Sequence, residues 1–239
     1  MIEKYLMKLR ARDEISHEEE QALRDAVGEV VHYPADHTFI VPGQRLNFST
    51  LLLEGIVARY KDLSDGQRQI TELHVAGDFA DLHSFTLKHL DHSVMTLTPT
   101  KIVQVPHEKL KGITERHPHL ARVLWFSTNL DAAIHREWEV SLGRRNAIQR
   151  TAHIFCELQV RLGIVGLASE QEYALPITQV ELAECLGLTS VHVNRVLKDL
   201  RERGLVEFRG GRVTIADLAG LRRLAEFDPA YLYLDRQSR

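Results

Sequence analysis

The most regular pattern of hydrophobic and polar positions lies in residues 179–203. It predicts two helices joined by a tight turn at Gly187, since glycine tolerates a positive φ. In the second helix, four apolar side chains share one face at about 100° per residue: Val193, Val196, Leu197 and Leu200. Val191, Arg195 and Lys198 fall on the opposite face. The segment therefore predicts a hairpin of two amphipathic helices that exposes one charged surface.

The cap residues and the spacing of this hairpin indicate a particular motif. Thr178 precedes the first helix with Glu181 three residues later, which is the pattern of a capping box. Thr189 occupies the N-cap position of the second helix. Small Ala183, the glycine four residues later and Val193 six residues after it follow the spacing of a helix-turn-helix that reads DNA. An ordinary helical hairpin within a core is the alternative.

The N-terminal half alternates with a period of two after one short helix at residues 16–27. Turn residues such as Pro42-Gly43 and Asp65-Gly66 separate the strand-like segments. The run 50–60 is interrupted at Gly55, and residues 93–98 are expected to pair with 101–105 across Pro99. The predicted strands cover residues 29–33, 37–41, 50–60, 69–75, 93–98 and 101–105. Short strands at this spacing predict a β-barrel or jelly roll.

A helical pattern follows, with a short helix at residues 107–117 and a long one that begins at Pro118. The long helix carries a stripe with a spacing of three or four residues: Leu120, Val123, Leu124, Ser127, Leu130, Ile134 and Trp138. We interpret this stripe as a dimer interface, because a helix between two domains has little of its own domain to pack against. Packing onto the β-domain of the same chain is the alternative.

The C-terminal part adds a helix at residues 147–162, a loop at 163–173 and, beyond the helical hairpin, two strands around Arg209-Gly210-Gly211-Arg212. A β-hairpin at this place is the wing of a winged helix. Asp217 caps a last helix.

Length and composition fit a protein of two domains, with 44% hydrophobic and 26% charged residues in 239. No apolar run approaches a membrane span, and the N-terminus lacks the apolar core of a signal peptide, so we expect a cytoplasmic protein without membrane contact. The net charge is −3. Residues 1–143 carry 16 Lys or Arg against 21 Asp or Glu, and residues 144–239 carry 14 against 12. The C-terminal part is thus the more positive of the two, as expected if it binds the phosphate groups of DNA.

Three segments carry a resemblance to a known family: LLLEGIVARY at 51–60, AGDFADL at 76–82, and ITQVELAECLGLTSVHVNRVLKDLRERGLVEF at 177–208. The chain resembles the cyclic-AMP receptor protein / fumarate-nitrate reduction regulator (Crp/Fnr) family of bacterial transcription regulators. The resemblance implies an α+β fold with a β-roll sensor domain at 1–116, a dimerisation helix at 117–145 and a winged helix-turn-helix at 146–239. It also implies a homodimeric regulator that binds double-stranded DNA, and RNA polymerase as the partner of an activator.

The resemblance places DNA contacts on the helix-turn-helix and the wing. Arg195 is suited to guanine O6 and N7, whereas Val191 stands where the family often has an acidic residue, so the half-site should differ from the best-known one. The candidate DNA-binding residues are Thr178, Gln179, Thr189, Ser190, Val191, His192, Asn194, Arg195, Lys198, Arg209 and Arg212.

The same resemblance places an effector pocket in the β-roll. Relatives that bind cyclic nucleotide carry Gly-Glu-Leu and then Arg-Ser or Arg-Thr, but here these places read Gly77-Asp78-Phe79 and His92-Ser93. Without the arginine, cyclic AMP should not bind tightly. The candidate pocket residues are Asp78, Asp81, Leu82, His83, Ser84, His92 and Ser93. The effector itself is unidentified at this point.

Other functions are less well supported. His83, His89 and His92 are close in sequence, with His89 and His92 able to share a helical face, so a haem- or metal-sensing or ligand-binding β-roll without a DNA role is the alternative. We predict no metal site and no cofactor. Two isolated cysteines cannot supply the four thiolates of an iron–sulfur cluster. Motifs of phosphate-binding loops, serine hydrolases and zinc proteases are missing, so we expect no enzyme.

Overall fold

The alternating segments of the N-terminal half form seven strands in the computed structural model of the chain, which describes residues 1–239. The strands are β1 (Val30–Tyr33), β2 (His37–Ile40), β3 (Phe48–Glu54), β4 (Val57–Asp62), β5 (Arg68–His74), β6 (Ser93–Thr96) and β7 (Thr100–Pro106). They form two sheets with the orders β1-β7-β3 and β2-β6-β4-β5. The predicted β-roll is thereby confirmed.

One predicted strand pairing is wrong. Residues 93–98 and 101–105 were expected to pair with each other, but β6 pairs with β2 and β4, and β7 pairs with β1 and β3. A strand has only two edges, and both edges of β6 and of β7 are taken by these neighbours. The connection around Pro99 therefore leads from one sheet to the other. There the Thr98 hydroxyl accepts a hydrogen bond of 2.9 Å from the Ile56 backbone N–H.

Five helices accompany these strands: α1 (Glu3–Arg10), α2 (His17–Asp25), α3 (Ser84–Leu87), α4 (His107–Arg116) and α5 (Pro118–Arg144). Helix α1 was not predicted, and its apolar residues Tyr5, Leu6 and Leu9 are buried. The β-roll has its own apolar interior, formed by Ile40, Leu46, Leu52, Val57, Ala80, Leu90, Val94 and Ile102. A second core lies under the helices and includes side chains of α1, α2, α4 and α5.

The apolar stripe of α5 is buried within the chain itself. Leu120, Val123 and Leu124 belong to the core under the helices, and Ile134 and Trp138 are also buried. Ser127 and Leu130 are half-buried. Five of the seven side chains therefore offer no surface to a second chain, and for them the prediction of a dimer interface is wrong. The alternative, packing onto the β-domain of the same chain, describes Leu120, Val123 and Leu124, whose core includes Leu51 and Val103 of the strands. Trp138 instead contacts Glu157 of the following helix.

The C-terminal elements agree with a winged helix-turn-helix. They are α6 (Ala147–Ile164), β8 (Glu172–Ala174), α7 (Gln179–Leu186), α8 (Ser190–Glu202), β9 (Val206–Arg209), β10 (Arg212–Ile215) and α9 (Leu218–Ala225). Strand β8 lies in a segment predicted as loop and adds a third strand to the wing, in the order β8-β10-β9. None of the helices combines the length and apolar character that a membrane span requires.

Two compact units divide the chain in a way that differs from the predicted limits at 116 and 145. One unit comprises residues 1–61, 73–133 and 233–239, and the other comprises residues 62–72 and 134–232. The long helix α5 therefore contributes residues to both units. The tip of the β4–β5 hairpin belongs to the second unit, and the C-terminal tail belongs to the first.

A buried carboxylate organises the second unit. Glu157 on α6 is fully buried, and it accepts hydrogen bonds from Trp138 Nε1 at 3.1 Å, Arg161 Nη1 at 2.9 Å and the Tyr231 hydroxyl at 2.7 Å. These bonds satisfy the charge of Glu157, which an apolar interior would otherwise strongly disfavour. They also connect α5, α6 and the segment after α9.

His153 lies in the same unit and is 2% exposed. Burial and, secondarily, the positive charge of Arg145 lower the pKa of His153 to about 3. The carboxylate of Glu137 lies 3.2 Å from His153 Nε2, but it is already paired with Arg145 at 2.6 Å. The His153 ring packs against Phe227, with 5.1 Å between ring centroids.

This burial predicts acid sensitivity. Unfolding returns the pKa of His153 to about 6.5, so the unfolded chain binds a proton that the folded chain excludes. The free energy of unfolding should therefore fall as pH decreases from 6.5 towards 3, by up to about 1.4 kcal/mol per pH unit. His153→Phe keeps an aromatic ring and should reduce this slope. Guanidinium unfolding of both proteins at several pH values measures it, and identical slopes would contradict the assignment.

Candidate nucleic-acid interface and sensor segment

The two helices of the helix-turn-helix begin at the predicted caps. The Glu181 backbone N–H donates to Thr178 Oγ1 at 3.1 Å, and the Glu181 carboxylate accepts from the Thr178 backbone N–H, which completes the capping box. The His192 backbone N–H donates to Thr189 Oγ1 at 3.2 Å. Each threonine satisfies a backbone donor that a helix start leaves without a partner.

The turn between α7 and α8 depends on distant residues as well as local ones. Gly187 has a φ of 61°, and the Leu188 backbone N–H donates to Ala183 O at 3.0 Å. Gln69 Nε2, from the β4–β5 hairpin, donates to Glu184 O at 2.7 Å. Arg150 donates to Leu186 O. The carbonyl groups at the end of α7 are thus bound by side chains that the local sequence pattern did not reveal.

Helix α8 has the two faces that its sequence predicted. Its apolar side chains are buried: Val193, Val196, Leu197 and Leu200. On the other side Val191 is 61% exposed, and His192, Asn194 and Arg195 are also exposed. Ser190 is half-buried at the helix start. An exposed valine on a charged helix face has no role in this chain's own core.

The cations of the interface differ in whether they already have an acidic partner. Lys198 Nζ lies 3.6 Å from Glu202, and Arg212 Nη1 lies 3.1 Å from Glu172 on β8. Arg195, on α8, forms no ion pair within the chain, and neither does Arg209, at the end of β9. Both are exposed. Their guanidinium groups are therefore the two most available for an external anion or base.

Four of the predicted effector-pocket residues serve the chain's own structure. The Asp78 carboxylate pairs with Lys8 and accepts from the Val75 backbone N–H at 2.9 Å. Asp81 accepts from the backbone and the hydroxyl of Thr50. Leu82 is part of the core under the helices. Ser84 is fully buried, and its hydroxyl lies 3.2 Å from His107 Nε2.

The buried position of Asp81 changes the pKa of its carboxyl group. Burial raises its pKa to about 6, although the hydrogen bonds from Thr50 and the positive charge of Arg59 act in the opposite direction. Asp81 thus holds the segment after Gly77 against β3, because Thr50 lies on that strand. This is a structural role in the place where an effector contact was predicted.

The remaining predicted pocket residues are His83, His92 and Ser93. Their neighbours in the structure were not indicated by the sequence. The rings of His83 and His92 are 5.5 Å apart, and His83 Nδ1 lies 3.9 Å from Asp131 Oδ2. The Asp131 carboxylate accepts from Arg59 Nη1 at 2.7 Å. Ser93 begins β6 and pairs with Tyr60 in the sheet. The sequence analysis missed Arg59, and the one signal that could have indicated it is a charged residue within the apolar run of β4.

The structure also places the histidines and cysteines that the sequence analysis considered as ligands. Helix α3 ends at Leu87, so His89 and His92 do not share a helical face as expected. His92 Nδ1 instead lies 3.0 Å from Asp91 Oδ1. Both cysteines are buried, and burial raises the pKa of the Cys156 thiol to about 12 and that of Cys185 well above its usual value.

Comparison with known proteins assigns the two halves separately. The model of the cyclic nucleotide-binding domain matches residues 30–117, and the model of the Crp-like helix-turn-helix domain matches residues 149–224. A β-roll of this type followed by a winged helix-turn-helix defines a DNA-binding transcription regulator. Together with the relatives described next, these matches show that the chain belongs to the Crp/Fnr family.

Its relatives are regulators rather than enzymes. The chain is 27% identical over 209 residues to the transcriptional activator protein FnrL of Cereibacter sphaeroides, with 85% of this chain and 83% of that protein covered. It is 24% identical over 188 residues to the fumarate and nitrate reduction regulatory protein of Escherichia coli K12, with 79% and 75% covered. The structure of FixK2 from Bradyrhizobium japonicum aligns with a TM-score of 0.75 and 26% identity, over 82% of this chain and 96% of that one.

Proposed function

We propose that this protein is a homodimeric, sequence-specific DNA-binding regulator that acts in the cytoplasm and reads one half-site with each α8. The observation that supports this proposal most directly is the exposed face of α8. There Arg195 has no partner within the chain, and Val191 is 61% exposed. Two such helices related by a two-fold axis would enter successive major grooves about 34 Å apart. For an activator, RNA polymerase would be a further partner.

The roles of the candidate residues follow from their exposure and pairing. Arg195 is free to donate two hydrogen bonds to guanine. The exposed side chains near it, His192 and Asn194, can reach neighbouring bases. The residues at the starts of α7 and α8 would contact phosphate, where backbone N–H groups attract anions: Thr178, Gln179, Thr189 and Ser190.

On the wing, Arg209 is the stronger candidate for a phosphate contact, because it is unpaired. Lys198 and Arg212 would first exchange their acidic partners for phosphate. Exposed ion pairs contribute little free energy, so this exchange costs little.

The proposed dimer interface is the face of α5 that the chain leaves exposed. At 100° per residue, the exposed positions of α5 form one continuous stripe. They are Pro118, Arg122, Trp125, Asn129, Ala132, Arg136, Glu139, Val140, Gly143 and Arg144. Trp125 is 69% exposed and Val140 is 48% exposed. Ala132 and Gly143 are small enough to let a second helix approach closely.

The β-roll is proposed as the regulatory half, with a signal other than cyclic AMP. Asp78 stands at the place where relatives that bind cyclic nucleotide carry glutamate, and here it pairs with Lys8 of α1. His92 stands at the place of the phosphate-binding arginine, and it pairs with Asp91. Both positions therefore have intramolecular partners.

Arg195→Ala should lose discrimination at one base position of the half-site, at a cost of about 1–3 kcal/mol. The site is first selected from a random duplex library with the purified full-length protein, and each position is then varied in binding titrations.

Lys198→Ala should weaken binding to all sequences alike and lower the salt dependence by about one phosphate contact. Arg201→Ala, on the same helix, is the control. Unchanged base discrimination in Arg195→Ala would refute the base contact.

Val191 should recognise a thymine through its C5-methyl group, since valine offers apolar contact but no hydrogen bond. Replacing that thymine with uracil removes a single methyl group and should weaken wild-type binding about three- to four-fold. In Val191→Ala the same base change should have a much smaller effect, whereas in His192→Ala it should keep its full effect. Titrations with uracil at each thymine in turn measure this, and an equal effect in all three proteins would exclude the contact.

Trp125→Glu and Val140→Glu should convert the dimer into monomers, because each places a charge in the proposed interface. Sedimentation equilibrium measures the association, and DNA titration should show a parallel loss of affinity for the palindromic site. Leu63→Glu, which changes an exposed leucine in the β4–β5 turn, is the control, because the exposed fraction of Leu63 (60%) lies between those of Trp125 and Val140. A Trp125→Glu protein that remains dimeric would place the interface elsewhere.

A further inference from the structure

The exposed stripe of α5 contains polar side chains that have no partner within the chain. Asn129, Arg136 and Glu139 are exposed, and none of their side chains forms a hydrogen bond or an ion pair. Arg136 and Glu139 are three positions apart on one helix, where opposite charges often pair, yet they do not pair here. Arg122 is also exposed and donates only to Pro118 O, at 3.2 Å. The unpaired polar groups of α5 therefore lie on the face that the chain leaves exposed.

The stripe repeats at the period of a coiled coil. Most of its positions follow one another in alternating steps of three and four residues along the single helix α5. These positions are Arg122, Trp125, Asn129, Ala132, Arg136, Glu139 and Gly143. The average is a period of about 3.5 residues, at which two helices keep the same faces in contact along their length. The exposed face of α5 thus has the geometry to lie along a second helix.

The direction of that second helix determines the partner of Asn129. In a parallel pair of α5 helices without offset, each position meets its own counterpart, so that the two Asn129 amides face and bond each other. In an antiparallel pair with full overlap, Asn129 instead meets Ala132, which has no polar side-chain group. An amide that is buried without a partner is costly. Asn129 therefore favours the parallel pair.

The charged positions are complementary in the same arrangement. In a parallel pair, Arg136 of one copy lies one layer from Glu139 of the other, and the two-fold axis forms this ion pair twice. Arg122 and Trp125 have the same spacing, so the guanidinium of one copy can lie over the indole ring of the other. The polar pattern of the stripe is thus complementary to itself, and a second copy of this chain supplies the partners that α5 lacks.

We infer that Asn129, Arg136 and Glu139 select the partner of the dimer, namely a second copy of this chain that lies parallel and without offset. The inference rests on the proposed function and adds the residues that determine which chain is accepted. An apolar stripe alone would accept many helices, because hydrophobic contact is not directional. Polar groups in an interface penalise a partner that does not match them. A chain with other residues at these positions would leave them without partners.

The first experiment tests direction and offset in the full-length protein. In Asn129→Cys, the two new thiols face each other only in a parallel pair without offset, since a disulfide requires Cα atoms within about 7 Å. Mild oxidation should therefore link most chains in pairs, which a denaturing gel without reductant shows after free thiols are blocked. Cys156 and Cys185 are buried and should not react. Leu63→Cys, at an exposed position outside α5, is the control and should stay largely unlinked.

The second experiment exchanges charges. Arg136→Glu places only acidic groups at the two charged positions of an identical pair, and Glu139→Arg places only basic groups there. Each variant alone should therefore dimerise at least about ten-fold more weakly than the wild type. A mixture of the two variants brings opposite charges together at every one of these contacts and should form a mixed dimer. Sedimentation with a fluorescent dye on one variant measures it, and both changes in one chain should restore self-association.

These outcomes separate the inference from the proposed function and from a loss of fold. Circular dichroism verifies that each variant is folded, and recovery of the dimer in the mixture cannot come from unfolded chains. A wild-type protein that binds its palindromic site as a monomer would refute the proposed homodimer. A wild-type dimer that tolerates both charge reversals, that forms no mixed dimer from the two variants, or whose Asn129→Cys chains do not link, would overturn the selection by these residues.

Discussion

The geometry of α5 constrains most of the functional arrangement of this protein. A helix places its side chains at 100° intervals, so a residue that is committed to one face cannot serve the other. The chain buries Leu120, Val123 and Leu124 in its own core, and Trp138 donates to the buried Glu157. What remains on the opposite side is a continuous exposed stripe around Trp125. The dimer interface that we propose can therefore lie on only one face of the helix.

The same helix carries groups that belong to both compact units. Asp131 pairs with Arg59 in the first unit, and Trp138 reaches Glu157 in the second. Both are charge-assisted contacts in buried surroundings, where misplacing a partner costs more than it does at a surface. Each of these contacts therefore restrains the part of α5 that belongs to its own unit.

Sequence reasoning succeeded where the determinants are local. The caps at Thr178 and Thr189, the turn at Gly187 and the two faces of α8 depend on residues a few positions apart, and all of them are present in the structure. It failed where the partner is distant. Arg59 and Asp131 are separated by 72 positions, and Gln69 and Glu184 by 115. The stripe of α5 was recognised as apolar, but periodicity cannot tell whether an apolar face meets its own chain or another.

The β-roll shows why a fold-level match does not identify a ligand. The cyclic nucleotide-binding domain matches residues 30–117, a range that includes all seven strands and the apolar interior of the roll. Ligand chemistry depends on a few side chains within that frame, and here Asp78 and His92 have partners of their own while Arg59 pairs with Asp131. Fold and ligand are separable because the apolar core forms whatever the polar groups bind.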